Sequence, residues 1–205
     1  DLARLAGLDP SGVICEIMND DGSMARMPDL ERFSSEHGVM ILSIADLIQY
    51  RLTRESMVVP VVEGELRPTI GGLGSAAYRA LTYRSVVGRT EYLALVLGAV
   101  AGGNEVLVRA QTACFPGDVF GSTACECGLN LRAALRRIED EGRGVLLYVF
   151  PGGRQSLVAD VENHLLHRQS TVTTEVREGK LREFGMGAQV LADLGVHRIH
   201  LLTNN

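Results

Sequence analysis

Cys114, Cys125 and Cys127 fall within a stretch of fourteen residues, in a C-x10-C-x-C pattern. Three thiolates with no obvious fourth partner nearby suit a zinc ion, and a three-ligand set leaves one position for water or substrate. Such an ion lowers the pKa of its bound water and polarises the carbon under attack. Two sulfurs one residue apart come together only in a turn or an irregular segment, which Gly121 and Gly128 make accessible. The surrounding residues are rich in Gly, Asp and Glu and do not resemble a core, which favours zinc over three ordinary buried cysteines. A redox pair at Cys125 and Cys127 is a third reading, although the usual C-x-x-C spacing is missing. Cys15, in the apolar run Val13-Ile14-Cys15-Glu16-Ile17, reads as a small buried hydrophobe.

Helices and strands must bring this segment together. Residues 129–141 have the pattern of an amphipathic helix: Leu131, Ala134, Leu135 and Ile138 share one face, and Gly142-Arg143-Gly144 stops it. Before it, Ala77–Tyr83, Glu91–Val100 and Glu105–Ala110 read as strands, with turns at Gly88-Arg89 and Gly102-Gly103-Asn104. After it come an apolar strand at Val145–Phe150, a helix at Ala188–Leu194 and a strand at His197–Leu202. Strand, helix and strand in this order predict an α/β layer. In the first quarter, 1–9 reads as a helix end and 12–18 as a buried strand. Pro28 opens a helix that Gly38 closes, Val39–Ser43 reads as a short strand, and Ser43 caps a helix from Ile44 to about Leu52. Residues 55–75, with Pro60, several charges and Gly71-Gly72-Leu73-Gly74, read as a linker.

The composition narrows the functions. The chain has 205 residues, 46% hydrophobic and 22% charged, which is globular. A formal charge of −5 argues against a general nucleic-acid binder, and absent Trp argues against a platform for stacking single strands. No run approaches the roughly 18 apolar residues of a membrane helix. No basic n-region with an apolar h-region opens the chain, so a cytoplasmic location is expected, with thiols rather than disulfides.

Several strings resemble GTP cyclohydrolase II. They are Val106-Leu107-Val108-Arg109, Cys114, Gly117-Asp118-Val119-Phe120-Gly121-Ser122, Cys125-Glu126-Cys127-Gly128 and Glu141–Tyr148, then Gly187–Leu191 and Leu201–Asn205. Residues 1–52, with Asp1-Leu2-Ala3-Arg4-Leu5-Ala6-Gly7 and Gly12–Asn19, resemble the tail of 3,4-dihydroxy-2-butanone 4-phosphate synthase. The two occur fused in this order in bifunctional riboflavin-biosynthesis proteins. The resemblance implies a mixed α/β fold: 1–54 as a synthase fragment without its own activity, 55–75 as linker, and 76–205 as the cyclohydrolase-like domain. It implies hydrolytic opening of the GTP imidazole ring at C8, with loss of formate and pyrophosphate through a guanylyl intermediate on an arginine. It further implies Zn2+, Mg2+ at the phosphates, a homodimer, and GTP or a related purine nucleotide as substrate.

Matched position by position, Cys114, Cys125 and Cys127 are the zinc ligands, and Arg109 contacts the triphosphate. Asn130 stands where the family has a Gln near the substrate. Arg154 survives from a basic loop, Thr203 lies in the matching C-terminal string, and Arg182 aligns with the arginine nucleophile. Other positions depart from the pattern. The family's Arg-Val-His-Ser-Glu-Cys is Arg109-Ala110-Gln111-Thr112-Ala113-Cys114 here, without the His and Glu. Gly152 replaces the Glu that reads the guanine edge, and Lys180 replaces an acid near Arg182. The catalytic Tyr has no clear match, and His164 is the nearest candidate. An arginine needs a base or strong positioning to act as a nucleophile, and Lys180 supplies a second positive charge instead. Tight nucleotide binding with slow or absent turnover is the expectation. His164 and His167 read as an exposed helix face, His197 and His200 as opposite faces of a strand, and Arg132, Arg136 and Arg137 as a solvated face. Alone, residues 1–52 should expose apolar surface that the rest of such a domain covers.

Overall fold

The computed structural model describes residues 1–70, 76–152, 157–165 and 174–203; the side chains of 159, 160, 163 and 174–183 are outside the described residues. Two units divide the chain, Asp1–Leu47 and Ile48–Asn205.

The first unit holds short helices, α1 (Leu2–Leu5) and α2 (Met27–His37), and the start of α3 (Ile44–Arg54). Pro28 sits in the first turn of α2, and Gly38 closes the helix at φ 63°, a left-handed conformation that glycine adopts without a Cβ penalty. Ser43 caps α3 as expected, its hydroxyl accepting from the Asp46 N–H at 3.0 Å. The two strands expected here are absent. Residues 12–17 and 39–43 form no ladder, and the isolated Met18–Met24 bridge is all that pairs nearby. No residue of 1–47 is buried, and Val13 and Ile14 are 102% and 95% exposed. Cys15 is exposed too, which corrects its reading as a buried hydrophobe. An apolar run becomes a strand only when a neighbour supplies backbone partners and a covering face, and no described segment does so.

The second unit is built on a six-stranded mixed sheet of order β1-β2-β3-β5-β4-β6. Its strands are β1 (Val58–Leu66), β2 (Tyr78–Ser85), β3 (Glu91–Leu97), β4 (Val106–Thr112), β5 (Gly144–Phe150) and β6 (Ile199–Leu201). The first three and β5 pair antiparallel, while β4 runs parallel to both β5 and β6. Strand β1 corrects the linker reading of 55–75. Its eight residues after Val58 are exposed, it carries a bulge between Pro60 and Val62, and it lies at the sheet edge. Proline and alternating charge are features of an edge strand as much as of a linker. Gly71–Gly74 are outside the described residues.

Helix α5 (Cys127–Glu141) connects the parallel strands β4 and β5. Its Leu131, Leu135 and Ile138 pack on one face of the sheet with Tyr78, Leu95 and Leu146. A side chain of this kind contributes roughly 1.5–3 kcal/mol when fully buried. The opposite face carries the larger core, where Met186, Val190 and Leu191 of α7 (Thr174–Asp193) meet Tyr92, Val106, Val145 and Leu147. The sheet thus has helices on both faces, the α/β layering expected from the element order. Short helices α4 (Phe115–Asp118) and α6 (Leu157–Leu165) complete the unit. Strands and helices together position one loop, residues 113–126, between β4 and α5.

Candidate metal centre

Backbone geometry brings the three cysteines together. Cys114 is the N-cap of α4, Cys125 lies in the turn before α5, and Cys127 is the first residue of α5. Their sulfurs all lie within 4.8 Å of one another. Cys114 Sγ and Cys125 Sγ are 3.9 Å apart. Two thiolates on a tetrahedral zinc, at Zn–S of about 2.3 Å, are separated by about 3.8 Å. The Cys114–Cys125 pair already has that spacing, and three clustered sulfurs are a donor set that suits the ion.

Two glycines make this convergence possible. A Cβ at Gly117 would meet Cys125 Sγ at 2.6 Å and Cys114 Sγ at 3.3 Å. A Cβ at Gly128 would run into the Gly117 carbonyl. Gly117 and Gly128 are both buried, so the loop and the start of α5 touch through bare backbone. Gly128 thus matters for close approach, while Gly121 takes a positive φ of 63° in the loop between them.

Burial is the main cause pushing the Cys114 thiol up, partly offset by the Gly117 backbone. Cys127 is pushed from 9.0 up to about 12, by burial first and then by hydrogen bonding with Cys125 and Cys114. Without a metal, these two thiols keep their protons at neutral pH. Metal binding must displace them, so affinity rises with pH.

A polar network lies behind the sulfurs. Asp118, 7% exposed, accepts from the Tyr148 hydroxyl at 2.7 Å and from the Cys114 N–H at 2.9 Å. Gln111 donates to Asp118 Oδ1 and to the Cys127 carbonyl, both at 3.4 Å. Gln111 Oε1 accepts from Arg109 Nη2 at 2.9 Å, and Arg109 Nη1 donates to the Leu202 carbonyl at 3.1 Å. Arg109 thereby stands on β4 within the same network as two of the cysteines. Tyr148 also lines a groove of about 330 Å³ on the sheet with Thr82, Arg84, Glu91, Leu93 and Phe150.

The remaining expected site residues fare differently. Asn130 is half-buried in the first turn of α5, three residues beyond Cys127, and Thr203 is exposed just after β6. Arg154 and His167 are outside the described residues. Arg182 and Lys180 fall on α7, but their side chains are outside the described residues too. His164 departs from the exposed-face reading. It is half-buried, and its Nε2 lies 2.7 Å from Ser122 Oγ on the thiolate loop. His200 alone of its pair lies in a strand, because β6 is limited to Ile199–Leu201. Gly152 packs so tightly on the Arg89 backbone that a Cβ there would overlap it. The sequence reading overlooked Asp118 and Tyr148. Asp118 was visible only within the Gly117–Ser122 string, and Tyr148 only within an apolar strand and the Glu141–Tyr148 string.

Sheet, loop and sulfurs define a mixed α/β protein with a cluster of three cysteine sulfurs that could hold a metal ion. Residues 72–205 match the family model for GTP cyclohydrolase II, and residues 1–50 match that for 3,4-dihydroxy-2-butanone 4-phosphate synthase. The chain belongs to the GTP cyclohydrolase II family. It is 45% identical over 212 residues to the riboflavin biosynthesis protein RibBA of Salinispora tropica, covering 100% of this chain and 52% of that protein. To RibBA of Bacillus cereus it is 43% identical over 211 residues, with 100% and 52% covered. The chain spans about half the length of these curated relatives. A crystal structure of RibBX, a two-domain 3,4-dihydroxy-2-butanone 4-phosphate synthase from A. baumannii, superposes with a TM-score of 0.72 at 30% identity. That match covers 100% of this chain and 51% of the other.

Proposed function

We propose that the chain is a zinc-dependent GTP cyclohydrolase II-like hydrolase, opening the imidazole ring of GTP with release of formate and pyrophosphate at the start of riboflavin biosynthesis. The observation that carries this is the convergence of Cys114, Cys125 and Cys127 within 4.8 Å around a glycine cradle. Those three residues would hold the ion. When bound, zinc supplies Lewis acidity that polarises the attacked carbon and makes water acidic.

The chain's own residues do the rest. Arg109, fixed by Gln111 and the Leu202 carbonyl, offers its charge to the triphosphate. Asn130, Arg154 and Thr203 complete the substrate contacts, with Mg2+ at the phosphates. The groove that shares Tyr148 with the thiolate network receives the purine. Arg182 attacks the α-phosphorus, forming an N–P bond as the bond to pyrophosphate breaks, and its proton leaves with the pyrophosphate; water later cleaves the N–P bond. Lys180 strengthens binding of the anion without removing a proton, so turnover is slow or absent. The domain pieces are 1–54 and 76–205, with β1 joining the sheet of the second. The assembly is a cytoplasmic homodimer.

A second reading has its own support. The Gly152 backbone packs against Arg89, leaving no room for a base-reading side chain. That favours a diverged paralogue acting on another purine nucleotide, or a weak pseudoenzyme that binds zinc and nucleotide. One experiment separates them. The purified chain is incubated with GTP, zinc and magnesium, and formate, pyrophosphate and the pyrimidine product are measured. All three products support the hydrolase. Pyrophosphate or a ring-opened formamide alone supports the paralogue. Bound zinc without turnover supports the pseudoenzyme.

A further inference from the structure

Asp118 is a buried carboxylate that the proposed reaction does not use. A buried polar group needs hydrogen-bond partners, and the Asp118 carboxyl has three donors: the Tyr148 hydroxyl, the Cys114 N–H and Gln111 Nε2. One of these is the backbone of a cysteine four residues away. A second, Gln111, is 3% exposed and also donates to the backbone carbonyl of Cys127. The carboxyl group thus holds the Cys114 backbone directly and reaches the Cys127 backbone through Gln111.

The orientation of Gln111 follows from its neighbours. Its oxygen faces the Arg109 guanidinium, which only donates, and its nitrogen faces a carboxylate and a carbonyl, which only accept. The reversed amide would lose every one of these bonds. Gln111 therefore links Arg109 on β4 to Asp118 in a single fixed sense. Tyr148, from β5, holds the other carboxylate oxygen. Groups from β4, β5 and the start of α4 thus converge on Asp118.

We infer that Asp118 is a positioning residue: with Tyr148 and Gln111 it sets the spacing of the Cys114 and Cys127 thiolates and ties that spacing to Arg109. This rests on reading the thiolates as a metal site. Supporting groups around a metal centre typically change affinity 10–100-fold when removed.

Cobalt(II) is the probe, titrated into the full metal-stripped chain and followed by its thiolate charge-transfer and tetrahedral d–d absorption. Zinc affinity is then read by displacing the cobalt. Asp118→Asn should weaken binding at least 10-fold and shift the d–d bands. Tyr148→Phe, which removes one hydroxyl, should do the same to a smaller degree. Gln111→Met should likewise shift the spectrum. Circular dichroism checks folding, and Tyr148→Phe carries the test should Asp118→Asn fail to fold. If folded wild type takes up no cobalt, the metal reading falls and this inference with it. If wild type shows the thiolate spectrum and folded Asp118→Asn and Tyr148→Phe match it in spectrum and affinity, only the positioning role falls. Weaker binding with an unchanged spectrum would mark Asp118 as merely structural and overturn the inference.

Discussion

Gly117 shows how one residue decides whether a site exists. The three sulfurs converge because that position has no Cβ; an added methyl would lie 2.6 Å from Cys125 Sγ. Gly117→Ala should therefore lower zinc affinity at least 10-fold, a loss comparable to removing a supporting group of a metal site. Metal analysis after dialysis against a chelator checks it; full zinc retention would contradict it. Gly152 poses the converse case. Restoring the family's Glu there looks like a repair, but the Arg89 backbone already fills the space a Cβ needs. Forcing a side chain in must displace the 86–90 turn or the end of β5, a cost of overpacking of about 1–3 kcal/mol. Gly152→Glu should lower the unfolding midpoint in urea and leave guanine selectivity unimproved. Raised selectivity for GTP over other purine nucleotides at unchanged stability would show that the overlap is relieved at no cost.

Among the elements, periodicity and position decide what a sequence reveals. Helix α5 was legible because Leu131, Ala134, Leu135 and Ile138 repeat at helical spacing and are buried, Leu131, Leu135 and Ile138 against apolar residues of the sheet. It begins two residues earlier than expected, at Cys127, because the glycine contact between 117 and 128 sets its first turn. Strand β1 was not legible. An edge strand with a single buried residue has no alternation to detect, and Pro60 reads as a breaker. Residues 12–17 failed in the opposite direction: the apolar run is there, but among the described residues no partner strand is. The thiolate cluster was visible from spacing alone, whereas Asp118, Tyr148 and the Ser122–His164 contact depend on a topology that places β5 and α6 beside the loop.

Helix α7 holds a tie that only the structure reveals. Gln189 accepts from the Met57 N–H at 2.7 Å and donates to the Leu52 and Glu55 carbonyls at 2.7 and 2.8 Å. One amide side chain thus satisfies three backbone groups in the turn between α3 and β1. Gln189→Leu removes all three bonds and should cost about 1–3 kcal/mol. Urea denaturation of the purified chain measures it; a change within about 0.5 kcal/mol, the usual range for surface substitutions, would contradict the role.

The whole molecule has a predictable response to alkali. Burial raises the hydroxyls of Tyr78, Tyr83 and Tyr148, reinforced by Glu139, Asp193 and Asp118 respectively, and it raises Cys127 to about 12. Groups whose pKa is higher folded than unfolded bind protons more tightly when folded. Their contribution is fully present below the ordinary values of 9.0 for the thiol and 10.0 for the phenols. It is lost as pH rises from there through the folded values. The metal-free chain should keep its stability from neutral pH to about 9 on this account and lose it steeply beyond, as thermal melts at pH 7, 9 and 11 would show. Equal melting temperatures at pH 7 and 11 would contradict it.

Metal content tests the central claim most directly. Protein purified without chelator should carry about one zinc per chain, the stoichiometry of a three-thiolate catalytic site. Cys125→Ser, still folded by circular dichroism, should carry almost none. Unchanged zinc in Cys125→Ser would contradict the account.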